Sequence, residues 1–233
     1  MTERTGDVVV LIPGLGNTSR LWAAQVAALS SAREIIVADY SGAESIDEMA
    51  DRVLAQIPAT RFSLVGFSLG GYIALKIARC AAERITNLLF VSTSPYADSE
   101  IAMQQREVLI SKARRDFASV LEDMSRFVVF ADGPNAANAR KVLVSMGQEL
   151  GVDEFCRQQK AAMRRPDSRD LLSSIECPVR ILCGQQDRVT PVDGNRYLAE
   201  NIRGATLDII QGAGHLLPLE RPVEVTRFLR DTM

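Results

Sequence analysis

Hydrophobic positions along this chain follow two alternating rhythms. VVVLI at Val8 to Ile12, EIIVADY at Glu34 to Tyr40, RFSLVGF at Arg61 to Phe67 and NLLFVS at Asn87 to Ser92 are short, nearly unbroken apolar runs bounded by Gly, Pro, Ser or Asp. Such runs predict strands buried on both faces. Between them, Ser19 to Leu29, Ser45 to Ile57 and Leu69 to Ala81 carry apolar residues three and four apart, with serines placed to cap two of the starts. Strand and helix therefore alternate, which predicts an α/β class with a mostly parallel sheet, right-handed crossovers and helices on its flanks. After Pro95 the alternation stops, and Asp98 to Arg165 reads as successive helices. It resumes with VRILCG at Val179 to Gly184, a helix at Val192 to Asn201, TLDIIQ at Thr206 to Gln211 and a last helix from Pro218 to Arg230. The reading is a core of residues 1–96 and 175–233 interrupted by a helical lid at 97–174. No repeat or long linker breaks this pattern.

Composition narrows the function classes. The chain has 233 residues, 47% hydrophobic and 24% charged, with a net charge of -2, the balance of an ordinary globular protein. That charge sets up no field to gather nucleic acid or an anionic membrane, so neither is expected as a partner. MTERTGD at the start lacks the apolar stretch of a signal peptide, and no run is long enough for a membrane span. A cytoplasmic location is the expectation. Cys80, Cys156, Cys177 and Cys183 have neither metal-site spacing nor disulfide-scaffold density.

Candidate chemistry lies where strands end. Gly66-Phe67-Ser68-Leu69-Gly70 spans a predicted strand-to-helix junction, the context that gives G-x-S-x-G its meaning. The turn forces Ser68 into a strained conformation, and glycines flank it because side chains would collide. A serine nucleophile needs a base, and His215, in GAGH, is the only histidine. Asp187, in GQQDRVTP, follows one strand end and His215 follows the next, so all three side chains are expected at one sheet edge. Their chain order is serine, acid, histidine. Asp193 competes with Asp187 for the acid role but lies farther from the strand end. Asp39 reads as a turn residue, Trp22 as helix-to-sheet packing, and Cys80 and Cys183 as core.

These residues carry a resemblance across essentially the whole chain. LIPGLGNTSRLW at Leu11 to Trp22, GFSLGG at Gly66 to Gly71, CPVRILCGQQDRVTP at Cys177 to Pro191 and GAGHLLPLERP at Gly212 to Pro222 resemble lid-bearing α/β-hydrolases, which include esterases, enol-lactonases and meta-cleavage-product hydrolases. The resemblance implies Ser68 as nucleophile, His215 as general base and Asp187 as the acid. It also implies an oxyanion hole from the backbone N–H groups of Leu15 and Leu69, and a lid inserted after the equivalent of the family's sixth strand. Many relatives have His-Gly where this chain has Pro13-Gly14. Relatives often begin with extra antiparallel strands, for which the residues before Val8 leave little room.

The expected function is hydrolysis of a small-molecule carboxylic ester, thioester or lactone through an acyl-enzyme, without metal or organic cofactor. C–C bond hydrolysis and peracid formation use the same groups and stand as alternatives. A small-molecule receptor that keeps a triad is an alternative of another class. The substrate is expected to be apolar or mixed in character, held between lid and sheet edge. Met103, Phe127, Val128, Phe130 and Met146 are expected mostly as lid core. Arg114, Arg126 or Arg140 are candidates to recognise a carboxylate.

Overall fold

The computed structural model describes residues 8–232. The reading of MTERTGD, and the shortened sheet edge inferred from the residues before Val8, lie outside that range. In chain order the elements are β1 (Val8–Ile12), α1 (Ala23–Leu29), β2 (Ile35–Val37), α2 (Ile46–Ala55), β3 (Phe62–Phe67), α3 (Leu69–Cys80) and β4 (Ile85–Val91). They continue with α4 (Glu100–Arg115), α5 (Phe117–Val128), α6 (Ala136–Met163), β5 (Val179–Gly184), α7 (Val192–Asn201), β6 (Thr206–Ile210), α8 (Leu217–Glu220) and α9 (Pro222–Arg230). The strands form one six-stranded sheet in the order β2-β1-β3-β4-β5-β6, and every pairing is parallel.

Strand periodicity explains why these runs are apolar throughout. Along β1, Val8, Val10 and Ile12 join one core, while Val9 and Leu11 join the other. The same division separates Leu88 and Phe90 from Leu89 and Val91 in β4. Successive side chains point to opposite faces, so helices on both faces demand an apolar residue at every position. Each such side chain contributes roughly 1.5–3 kcal/mol by leaving water.

Local signals set the helix ends. Ser45 Oγ accepts from Glu48 N–H at 3.1 Å and caps α2, whose Met49, Ala50 and Val53 are buried. The cap before α1 is Thr18, which opens a 3₁₀ turn at Ser19–Trp22, rather than Ser19 itself. The single helix expected over Pro218 to Arg230 is two, because Pro222 excludes helical geometry from Arg221, which sits at φ -136° and ψ 57°. Edge strand β2 is shorter than the seven-residue run that predicted it, ending at Val37.

Between β4 and β5 the chain forms α4, α5 and α6. Gly151, at φ 80° and ψ 162°, breaks α6 into two helical stretches of different direction. The first stretch places Ala139, Leu143 and Met146 on the sheet-side core, and the second joins Phe155 and Cys156 to Ala113 and Val120 in a small core of its own. Met146 is thus core, whereas Phe127 is half exposed, against the expectation for it. Among the described residues no helix is long and apolar enough to cross a membrane.

Candidate active site

The sharp turn from β3 to α3 holds Ser68 at φ 52° and ψ -113°, a region L-residues rarely occupy. Close packing sustains this strain. A Cβ on Gly66 would lie 2.5 Å from Gly70 O, and one on Gly70 would lie 2.4 Å from Ile12 O. The Ser68 N–H donates to Val91 O at 3.0 Å, and Thr93 Oγ1 donates to Ser68 O at 2.9 Å. Both backbone groups of the serine are therefore engaged, and its hydroxyl is aimed by the fold.

The other two predicted side chains arrive from neighbouring strand ends. Asp187 lies in the turn after β5, and His215 lies in the loop between β6 and α8. His215 Nε2 is 3.0 Å from Ser68 Oγ, and His215 Nδ1 is 2.8 Å from Asp187 Oδ2. Ser68, Asp187 and His215 are 9%, 5% and 5% exposed, so water screens this chain of contacts little. The Val189 and Thr190 N–H groups donate to Asp187 Oδ1, and Thr190 Oγ1 donates to Oδ2. Burial alone would raise the Asp187 carboxyl; the adjoining imidazole and these amides outweigh it and hold the group below the usual carboxylate range. Asp193, the competitor, is exposed and pairs with Arg196 at 3.0 Å. Asp39 accepts from Ser41 N–H and Oγ in a turn, as expected.

Leu15 and Leu69 line the same cavity as Ser68. Leu69 begins α3, so its N–H belongs to the first turn, which has no intrahelical acceptor. Leu15 sits in the loop after β1. Here Tyr40 Oη lies 3.1 and 3.0 Å from the carbonyl oxygens of Pro13 and Gly14, and Gly16 N–H donates to Gln158 Oε1 at 2.8 Å. Phe67 closes the loop from below: a Cβ on Gly14 would come 2.7 Å from its ring. Trp22 is buried edge-on against Phe67, a packing role.

Some contributors were not foreseen. Glu220, 1% exposed, accepts from the N–H groups of Gly214, Leu216 and Phe130 at 2.9, 2.8 and 3.0 Å. It fastens both neighbours of His215 and Phe130, just past α5 of the insertion, with one carboxylate. Burial pushes this carboxyl above its ordinary value against the pull of the three amides. His215 N–H also donates to Val128 O at 2.8 Å, so the insertion helps fix the imidazole. A lone acid in LLPLERP was the available signal for Glu220. Arg114, Arg126 and Arg140 do not line the Ser68 cavity: Arg114 pairs with Asp153 and Arg126 with Asp123 on the surface, and Arg140 borders a separate hollow. Arg106, Arg165 and Arg188 line it instead. Cys80 is exposed, a correction to its reading as core, because it falls on the outer side of the last turn of α3; Cys183 is buried.

A family model described as "Alpha/beta hydrolase family" matches residues 9–228. The chain belongs to the alpha/beta hydrolase family. It is 27% identical over 232 residues to the pimeloyl-[acyl-carrier protein] methyl ester esterase of Aliivibrio fischeri (strain MJ11), covering 92% of this chain and 88% of that one. A thermophilic esterase from Thermogutta terrifontis, solved with malate bound, superposes with a TM-score of 0.89 at 27% identity over 97% of this chain and 89% of that one. The enol-lactonase of Burkholderia xenovorans LB400 shares the fold, with a TM-score of 0.86 at 23% identity over 98% and 92% of the two chains. The chain is thus a hydrolase of the α/β type.

Proposed function

We propose that this protein hydrolyses small carboxylic esters through a covalent acyl-serine. The observation that carries the reading is the continuous contact from Ser68 Oγ through His215 to Asp187, at 3.0 and 2.8 Å, with the serine held at positive φ. Ser68 Oγ attacks the ester carbonyl while His215 Nε2 takes its proton, and Asp187 fixes the tautomer and stabilises the imidazolium. The Leu15 and Leu69 N–H groups receive the oxyanion, each such donor typically lowering the barrier by about 2.7–4 kcal/mol. The tetrahedral intermediate collapses as His215 returns the proton to the departing alcohol. Water, deprotonated by the same imidazole, then cleaves the acyl-serine and frees the acid. The esterases at 27% identity support ester chemistry. A cavity of about 410 Å³ around Ser68 fits a small molecule, with α4 to α6 acting as its lid.

Steady-state hydrolysis of short-chain 4-nitrophenyl esters tests this reading. Wild type should turn over and be titrated by a serine-directed phosphonate at Ser68, and Ser68→Ala and His215→Ala should both lose turnover. A folded wild type that neither turns over nor labels would refute it.

A further inference from the structure

The insertion gives the cavity around Ser68 both apolar lining, from Met124, Val128 and Leu143, and a charged cluster of Asp98, Arg106 and Arg165. Asp98, ahead of α4, is 2.5 Å from Arg106 Nε and 2.6 Å from Arg165 Nη1. Arg106 Nη1 also donates to Gln159 Oε1 at 2.6 Å. Arg165, 8% exposed, donates from Nε to Tyr96 O and from Nη1 to Ala162 O, and stacks over the Tyr72 ring at 4.1 Å. These bonds use Nε and Nη1 of both arginines, and both residues line the cavity.

The charges do not balance. Burial alone would raise the Asp98 carboxyl, but its contacts with Arg106 and Arg165 hold it below the usual carboxylate range, so it is ionised at neutral pH. Two guanidinium groups then stand against one carboxylate in a wall where Asp98 is 5% and the Arg165 side chain 7% exposed. Asp98 can neutralise only one of the two; the other leaves a net positive charge on the cavity wall, where the Arg106 side chain is 24% exposed and open to an anionic partner. Arg188 also borders the cavity but is exposed and held by Phe127 O. A surplus of this size beside planar, forked donors suits a planar monoanion.

We propose that the substrate carries a carboxylate, taken up by Arg106 and Arg165 on the insertion side of the pocket while its ester carbonyl lies at Ser68. The apolar stretch between the two ends holds a short alkyl arm. This deepens, and rests on, the reading of Ser68 as the nucleophile of an esterase.

The test compares mono-4-nitrophenyl glutarate with 4-nitrophenyl pentanoate, equal in acyl length and differing in the terminal carboxylate, after subtracting uncatalysed hydrolysis. In wild type kcat/KM should favour the glutarate at least tenfold, equivalent to about 1.4 kcal/mol. The ratio should fall toward unity in Arg106→Gln, chiefly through KM for the glutarate, be intermediate in Arg106→Lys, and persist in Arg114→Gln on the surface. A wild-type ratio of one or less, or a ratio unmoved in a folded Arg106→Gln or Arg106→Lys, overturns the proposal and leaves the esterase reading intact. Calorimetry on Ser68→Ala with monomethyl glutarate and methyl pentanoate separates the two. Binding of the glutarate alone upholds the carboxylate site even where wild type turns over neither ester, and failure to bind it overturns the site.

Discussion

Replacing Glu220 by glutamine preserves side-chain volume and so isolates the hydrogen bonds of one buried carboxylate. Its Oε2 accepts from Gly214 and Phe130, and its Oε1 from Leu216. The amide oxygen can take the Oε2 position and keep two of the three donors, but its NH₂ then faces Leu216 N–H at the 2.8 Å now occupied by an acceptor. The flipped amide strands two donors, so the first arrangement is preferred. One buried unsatisfied donor costs about 1–3 kcal/mol, and the two surviving bonds lose their charge assistance. Against this, a neutral amide is easier to bury than a carboxylate whose carboxyl burial already pushes up. The balance is a loss of about 2 kcal/mol, or roughly 4–8 °C in Tm for a chain of this size. Activity should fall as well, because Gly214 and Leu216 flank His215 and a small displacement of its ring opens the 3.0 Å contact to Ser68. A drop in kcat/KM of about tenfold or more is expected. Thermal melts by circular dichroism and ester kinetics on the same preparation check both effects. A Tm within 1 °C of wild type with kcat/KM within about twofold would refute the reasoning.

Asp187→Asn should lower kcat by roughly 10³- to 10⁴-fold, since the amide cannot hold the productive tautomer. The same change probes linkage. The Asp187 carboxyl is depressed in the folded state, so its stabilisation is complete above the ordinary unfolded value near about 3.9 and is lost as pH falls through the lower folded value. Denaturant titrations from pH 6 down to pH 2 should show a shallower acid-side loss in Asp187→Asn than in wild type, and parallel curves would contradict this. Thiol labelling provides an independent check on burial. Cys183 is fully buried and its thiol is pushed up to about 12, by burial first and then by Asp187, whereas Cys80 is exposed. With an aromatic disulfide reagent at pH 8, Cys80 should react first in the native protein and Cys183 only after denaturation; mass spectrometry of the labelled peptides reads the order.

Local and chain-order properties of this protein were legible in its sequence. An apolar run of strand length buried on both faces, a G-x-S-x-G at a strand-to-helix junction, and a serine, acid, histidine order at successive strand ends follow from steric rules that act within a few residues. Parallel pairing then brings those ends to one edge, so Ser68, Asp187 and His215 could be named together before any coordinate. Arg114, Arg126 and Arg140 could not be told from Arg106 and Arg165 in that way. Which side of α4 and α6 faces Ser68 depends on how the helices of the insertion rotate against each other, and the break at Gly151 redirects half of α6. Glu220 shows the same limit: three N–H groups from Phe130, Gly214 and Leu216 converge on one carboxylate only after the insertion has docked beside the histidine loop. Sequence located the reactive groups at strand ends, because the turns that carry them are built within a few residues. Tertiary packing alone decided what surrounds them, because the charge and shape of the pocket wall arise from contacts between residues far apart in the chain, such as Arg165 with Tyr96, 69 positions away.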